Sequence, residues 1–491
     1  MGAVHEEPSR LHTTPEWGID PVPPGRRVLG FLDQAVLWGN LGISLLVLVA
    51  GALLVPALGL WQALAATVIG AAAGNALLGL AAVPGAETGV PTMVLYRAPL
   101  GIRGSLLPTA CNVVQNLGWA TFELFVIASA AAQISERLLG FRGRLLWVVV
   151  FGTLTTALAV TGPLTVIRRY LERFAVWAVL ASTVYLTWHV LTRLDLGRLA
   201  GQPGTGGLSF WAGVDIAVAL PVSWLPLVAD YSRFGRTARA TFWGTSVGYF
   251  VAQVWFYALG ILFLLAIGQG DVIAALVAVP VGVVAMAVLV VDEADEVFAN
   301  IYSTGVSLQN AFPRLPGRPL AVAIGVLATA LAALVADLAR YESFLFLLGA
   351  LFVPLFGVLA ADYFVLARRR YDVAAMYDPE GPHRGVRWPA VLVWLGGFLL
   401  YNWINPGGVA AWRALLEDLF AGLLHLPFPL SARLPWLGAS LPAFVVPFLA
   451  MVATGRHTRR DRTIPAEPDS RPSSGGGRRT PPAPPGPAPG S

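Results

Sequence analysis

Four acids crowd into five residues of an otherwise apolar stretch: Asp292, Glu293, Asp295 and Glu296 in VVDEADEVFANIYSTGVSLQN. On a helix, Asp292, Asp295, Glu296, Ala299 and Asn300 fall at i, i+3, i+4, i+7 and i+8 and share one face, with Glu293 off it. Four carboxylates cannot all stay ionised in a low-dielectric interior, so some must hold a proton or a cation. That is the chemistry a cation-coupled carrier requires. A competing reading exists. Residues 272–291 are apolar enough to span a bilayer alone, which would leave the acids in a solvated loop. The next helix would then open with NIYSTGVSLQN, too polar and too short, so the intramembrane reading is preferred.

A second constellation lies in NVVQNLGWATFELFVIASAAAQI. Glu123 falls mid-span, and Trp119 precedes it by four residues on the same helical face, after Asn112, Gln115 and Asn116. A carboxylate at that depth is expensive unless it is paired, protonated or facing water. An indole plane beside a carboxylate suits a flat heterocycle, stacked on the ring and hydrogen-bonded through its N–H groups. The plainer alternative is a Glu that ties two helices together.

Two helices carry breakers at mid-depth. The first, FLDQAVLWGNLGISLLVLVAGALLV, holds Trp38, Gly39, Asn40, Leu41 and Gly42; the sixth, WAGVDIAVALPVSWLPLVADYSRF, has Pro221 and Pro226 bracketing Ser223 and Trp224. Proline removes a backbone donor, and lipid tolerates such a break only where it packs on protein or lines a cavity. Interruptions at corresponding places in two halves mark the binding site of a secondary transporter, where freed carbonyls and helix ends can hold an ion and a polar substrate. Asp230 beside Arg233 reads as a structural gate or cap, and Asp33, Asp215 and Asp362 are given no role.

The rest of the chain must position these groups in a bilayer. Of 491 residues, 56% are hydrophobic and 12% charged, about half the charge of a soluble domain. Twelve helices are expected, near 31–57, 61–83, 107–134, 145–162, 170–192, 209–230, 241–268, 274–304, 320–338, 343–367, 388–404 and 438–455. The segment 408–437 reads as partly interfacial. A polar tail covers 1–28, and an Arg/Pro/Gly/Ser-rich tail over 456–491 reads as disordered. With the N-terminus inside, 25 arginines lie in inside segments and 8 outside, which predicts two cytoplasmic termini in a multi-pass cell-membrane protein.

The single cysteine excludes a disulfide framework, six scattered His lack ligand spacing, and a net charge of +5 offers no basic face for nucleic acid. Walker A, HExxH and nucleophile-elbow patterns are absent, so no catalytic residue and no cofactor is expected and an ion gradient must supply the energy. The expected partners are a small heterocyclic solute and the lipid bilayer, with no obligate protein partner. Two rivals remain: a membrane-embedded enzyme acting on a lipid or isoprenoid, which needs the acids in a loop, and a substrate sensor that binds without transporting.

The run GVPTMVLYRAPLGIRGSLLPTACNVVQNLGWATFE at 89–123, with Pro91, Met93, Arg97, Gly101, Gly104 and Ser105 leading to Asn112 and Trp119, resembles the nucleobase:cation symporter-1 family, which includes the purine–cytosine permeases. DYSRF at 230–234 and FANIYSTGVSLQN at 298–310 add two blocks. The resemblance implies an all-α polytopic fold with a LeuT-like five-plus-five inverted repeat, about 31–192 and 209–367, plus two C-terminal helices over 388–455. It implies uptake of a nucleobase or similar heterocycle with Na⁺ or H⁺ by alternating access.

By the same resemblance, Trp119 stacks on the substrate, Glu123 and Asn300 bind it, and Trp224 supplies the sixth-helix aromatic. Asn40 and Ser223 complete the substrate set. The coupling ion falls to Asp295 and Ala294, with Val291 and the backbone near Trp38 and Leu41. An acid at position 295 replaces the hydroxyl found in Na⁺-using members, which favours H⁺. The acids before FANIYSTGVSLQN resemble the branch associated with cytosine and hydroxymethylpyrimidine, and an aminopyrimidine pairs well with Glu123.

Overall fold

The computed structural model describes residues 18–161, 176–193, 195–267, 272–335, 337–338 and 340–460. Within them the chain is helical, apart from an isolated parallel bridge between Leu29 and Gly235. The expected twelfth helix runs on to Arg460, and the remainder of the C-terminal tail lies outside the described residues.

The first expected helix is two, α1 (Phe31–Leu41) and α2 (Leu45–Ala52), bent by 60°. The break falls at Gly42–Ser44, later than the Trp38–Gly42 stretch that the sequence suggests. Ser44 sets it: its backbone is extended, and its hydroxyl accepts the Leu46 N–H at 3.1 Å, a helix N-cap. Next come α3 (Leu60–Thr88), α4 (Leu106–Leu139), α5 (Arg144–Thr161) and α6 (Val176–Arg193).

The sixth expected helix is likewise split, into α7 (Phe210–Ser223) and α8 (Val228–Ser232). Pro226 lies in the break, whereas Pro221 sits inside α7. The Ala217 carbonyl, which Pro221 cannot engage, instead accepts from Gln253 Nε2 at 2.7 Å. That donor sits on α9 (Ala238–Ile267).

The eighth helix corrects the expectation of one continuous rod over 274–304. Residues Val272–Ala278 form a separate short helix that ends before Pro280. The rod proper is α10 (Gly282–Asp292) and α11 (Ala294–Ala311), jointed at Glu293. After it come α12 (Gly317–Leu334), α13 (Tyr341–Ala360), α14 (Trp388–Ile404) and α15 (Ser440–Arg460). Between the last two, Ala410–Glu417 is too short to span, in keeping with its interfacial reading.

Among the described residues, five helices are long and apolar enough to cross a membrane, six if α1–α2 is one bent span, and four shorter apolar helices accompany them. They assemble in groups. The broken pairs α1–α2 and α7–α8 pack with α3 and α9, while α4, α5, α11 and α12 form a second set. Helices α13, α14 and α15 pack together against the first set through α7.

The first set is drawn tight by small residues, as expected where lipid gives no hydrophobic drive between helices. A Cβ on Gly260 would lie 1.9 Å from the Leu48 carbonyl, and one on Gly248 2.4 Å from that of Ala35. Chain entry is also fixed: Val22 N–H donates to Gly89 O at 2.8 Å, Leu29 pairs with Phe234 and Arg236, and the Arg27 guanidinium holds the carbonyls of Ala86, Glu87 and Thr88. The second half of the polar N-terminal stretch is therefore packed structure.

Replacing Gly260 with Val should cost at least about 1–3 kcal/mol by overpacking. A melting curve of the purified variant in detergent is expected to shift downward; an unchanged melting point would refute this account of the α2–α9 contact.

Candidate functional site

The two helix breaks and three further helices, α4, α9 and α11, line one cavity. Its walls are Ser44, Leu46, Val47, Trp119, Glu123, Leu220, Ser223, Trp224, Leu227, Tyr249, Glu296 and Asn300. Of the expected substrate residues, Trp119, Glu123, Trp224, Asn300 and Ser223 meet here. Asn40 does not line it.

Glu123 and Asn300 are joined directly. The Asn300 amide donates to both Glu123 carboxylate oxygens at 3.1 Å, and also to the Glu296 carbonyl one turn back at 3.0 Å. The carboxyls of Glu123 and Glu296 are within hydrogen-bonding reach of each other. Trp119 is braced edge-on by Tyr341 and Phe344, with centroids 5.9 and 5.3 Å away. Trp224 donates from its indole N–H to the Tyr249 hydroxyl at 3.1 Å and meets Trp38 edge-on. Both indoles are thus held in place by protein.

The polar residues that precede Trp119 serve the broken helix beside them. Gln115 Nε2 donates to the Ser223 carbonyl at 2.9 Å, and Asn112 Nδ2 to that of Pro226 at 3.3 Å and to Ser307 Oγ at 2.8 Å. Both carbonyls lie where α7 ends and the chain is unwound. Ser223 keeps its hydroxyl on the Leu220 carbonyl at 2.6 Å.

All four acids at the eighth-helix joint are buried, at 5% exposure or less, so the solvated-loop reading fails. They do not form the single face expected of a straight helix. Asp292 and Asp295 receive the Asn40 amide at 3.3 and 2.7 Å. Glu296 turns to the cavity. Glu293, which the pattern set aside, accepts from Ser44 Oγ at 2.7 Å and from Leu45 N–H at 2.8 Å, at the start of α2. An acid at a helix N-terminus is well placed against its free N–H groups and dipole. Around the joint at Glu293 the four acids meet different neighbours. Only the pairing of a Ser cap with a distant acid could have signalled this contact.

Around the expected ion position, Asp295 and Ala294 are buried, as are Trp38 and Leu41. The Trp38 carbonyl caps α1 by accepting the Gly42 N–H at 3.1 Å, and its indole donates to Gln34. Val291 points its side chain outward at 47% exposure, so only its backbone could serve. Among the described residues no group of three or more His, Cys, Asp or Glu has the arrangement to hold a metal ion.

Other polar landmarks are structural. Arg97 is buried and donates to Asn310 Oδ1, the Asn310 carbonyl and the Met376 carbonyl, its guanidinium pulled below the ordinary value by that burial. Asn310 in turn donates to Ser105 and Thr109. Asp230 accepts the Thr92 N–H at 3.1 Å, the cap role anticipated for it. Asp215, given no role from sequence, accepts the N–H groups of Ala439 and Ser440 and so starts α15.

A membrane-embedded bundle whose polar cavity lies at two broken helices has the architecture of a secondary transporter. A family model described as "Permease for cytosine/purines, uracil, thiamine, allantoin" matches residues 21–416, and the chain belongs to this family, the nucleobase:cation symporters. Among similar proteins, the hydantoin permease of Microbacterium maritypicum is 26% identical, covering 86% of this chain and 89% of its own. The cytosine permease of Escherichia coli (strain K12) is 27% identical, covering 72% and 82%. Of solved structures, Mhp1, a nucleobase-cation-symport-1 family transporter in a closed conformation with bromovinylhydantoin bound, superposes with a TM-score of 0.73 at 22% identity over 91% of this chain and 95% of its own. A Na⁺-coupled sialic acid symporter gives 0.57 at 12% identity, covering 89% of this chain and 91% of its own.

The Glu293 contact is open to test. Glu293→Ala should cost about 1.5–3 kcal/mol, the scale of hydrogen bonds to charged groups, and Glu293→Gln less, because one acceptor survives. Thermal melting of the two variants in detergent checks the order; equal melting points would show that the acid is not the link between α2 and α11.

Proposed function

We propose that this chain is a secondary active importer of a nucleobase or related pyrimidine-like heterocycle, driven by H⁺ or Na⁺ and working by alternating access. The observation that carries the reading is the Glu123–Asn300 pair flanked by two indoles in one cavity. A carboxylate and an amide read the N–H and C=O edge of a flat ring while the indoles cover its faces. The cytosine and hydantoin named for the relatives are rings of this kind.

Proton coupling through Asp295 is the preferred form. Asp292 and Asp295 share one amide donor, and no Arg or Lys neutralises them among the ion pairs of the described residues. Two such neighbours are relieved by a proton or a cation. Sodium is the alternative, with Ala294, Val291 and the backbone near Trp38 and Leu41 as further contributors. Twelve spans, the inverted repeat and two cytoplasmic termini complete the proposal. Its support is the packing of two broken pairs into one set and the Arg excess on inside segments.

Uptake of radiolabelled cytosine, purines and hydroxymethylpyrimidine into proteoliposomes, under separate Na⁺ and pH gradients, tests it. A pH gradient, acid outside, is expected to drive accumulation. Glu123→Gln should lower uptake at least tenfold, and Asp295→Ala should abolish the response to the gradient. Uptake untouched by both substitutions would remove these residues from the site.

A further inference from the structure

Glu123 and Glu296 line the same cavity with carboxyls in mutual reach, and neither has a basic partner. The ion pairs of the described residues are Arg142–Glu136, Arg369–Glu87 and Arg384–Glu380, none of them at the cavity. The sequence contains no Lys. Asn300 is spent on Glu123 and on a carbonyl, so it does not serve Glu296 as a side-chain donor.

Two buried atoms of this wall are left without partners: Glu296 Oε1, on a residue 4% exposed, and the indole Nε1 of Trp119, on a residue 6% exposed. The first lacks a donor and the second an acceptor. Trp119, Trp224 and Tyr249 contribute aromatic surface to the same wall. Two carboxyls beside aromatic rings form an environment that attracts a flat cation, through charge and through the ring quadrupoles. With a neutral ring one of the two acids must keep a proton, whereas a cationic ring can take that proton's place.

We infer that the solute carried here is a planar organic cation, an aminopyrimidinium or amidinium-type ring whose charged N–H edge faces Glu296 and Glu123 and whose acceptor faces Trp119. The inference rests on the heterocycle-importer reading and narrows it to one charge class. The membrane potential, negative inside, then pulls the loaded solute inward, so uptake is electrogenic even with no coupling ion moving.

A pair of probes of matched shape and different charge separates the two ideas: 4-amino-1-methylpyridinium, a permanent cation, and 4-methylaniline, its neutral counterpart. Binding to the purified full-length chain is read by tryptophan quenching, with cytosine, uracil and hydantoin as neutral references. The pyridinium is expected to bind at least tenfold more tightly than 4-methylaniline. Glu296→Gln is expected to remove that preference without weakening the neutral probe, and an inside-negative diffusion potential should drive pyridinium uptake into proteoliposomes. Where Glu296→Gln does not fold, Glu123→Gln reads the same ratio. Equal or tighter binding of 4-methylaniline, together with binding of a neutral reference base, overturns the cationic solute and leaves the importer standing. Failure of every probe and every reference to bind overturns both.

Discussion

A helix cannot be interrupted in a bilayer unless its freed N–H and C=O groups find other partners, and this requirement organises the molecule. At the first break the Leu45 N–H goes to Glu293 and Ser44 caps the restart. At the second, the Ser223 and Pro226 carbonyls go to Gln115 and Asn112, and the carbonyl orphaned by Pro221 goes to Gln253. Apart from Ser44, which caps its own restart, each partner comes from a neighbouring helix. The bonds of Glu293, Gln115 and Asn112 also link the two sets of helices, and the cavity lies beside those links.

The same economy explains why so many acids share one joint. Asp292 and Asp295 take the Asn40 side chain, Glu293 takes the α2 start, and Glu296 is left to the cavity. A straight helix would put only some of these on the inner side. The joint at Glu293 lies among acids with different neighbours: an amide, a helix start and the cavity wall.

Much of this was legible in the sequence. The run of Trp119 and Glu123 at one-turn spacing, and Asn300 on the opposing helix, converge on one cavity with Trp224 and Ser223. The acids are buried, because NIYSTGVSLQN is too polar to start a new span and so stays with them in one rod. What periodicity missed follows from assuming unbroken geometry. Glu293 was set aside because a regular helix turns it away, and Asn40 was assigned to the solute although its amide is held by Asp292 and Asp295. The start at residue 282 was obscured because Val272–Ala278 is as apolar as the helix that follows. Asp215 and Ser44 act on backbone N–H groups of other segments or of a restarting helix, contacts that carry no period at all.

The chain's first described residues have a mechanical consequence. Gly18 accepts from Arg233, itself bonded to Tyr302 on α11, while Leu29 is stitched by two backbone bonds to the residues just after α8. Tyr377 closes the arrangement from the far side by donating to the Ile19 carbonyl at 2.5 Å. The leading segment is thus tied at three places, so Arg233 and the residues after α8 are linked through it to the Tyr377 segment, and a shift of either pulls on the other.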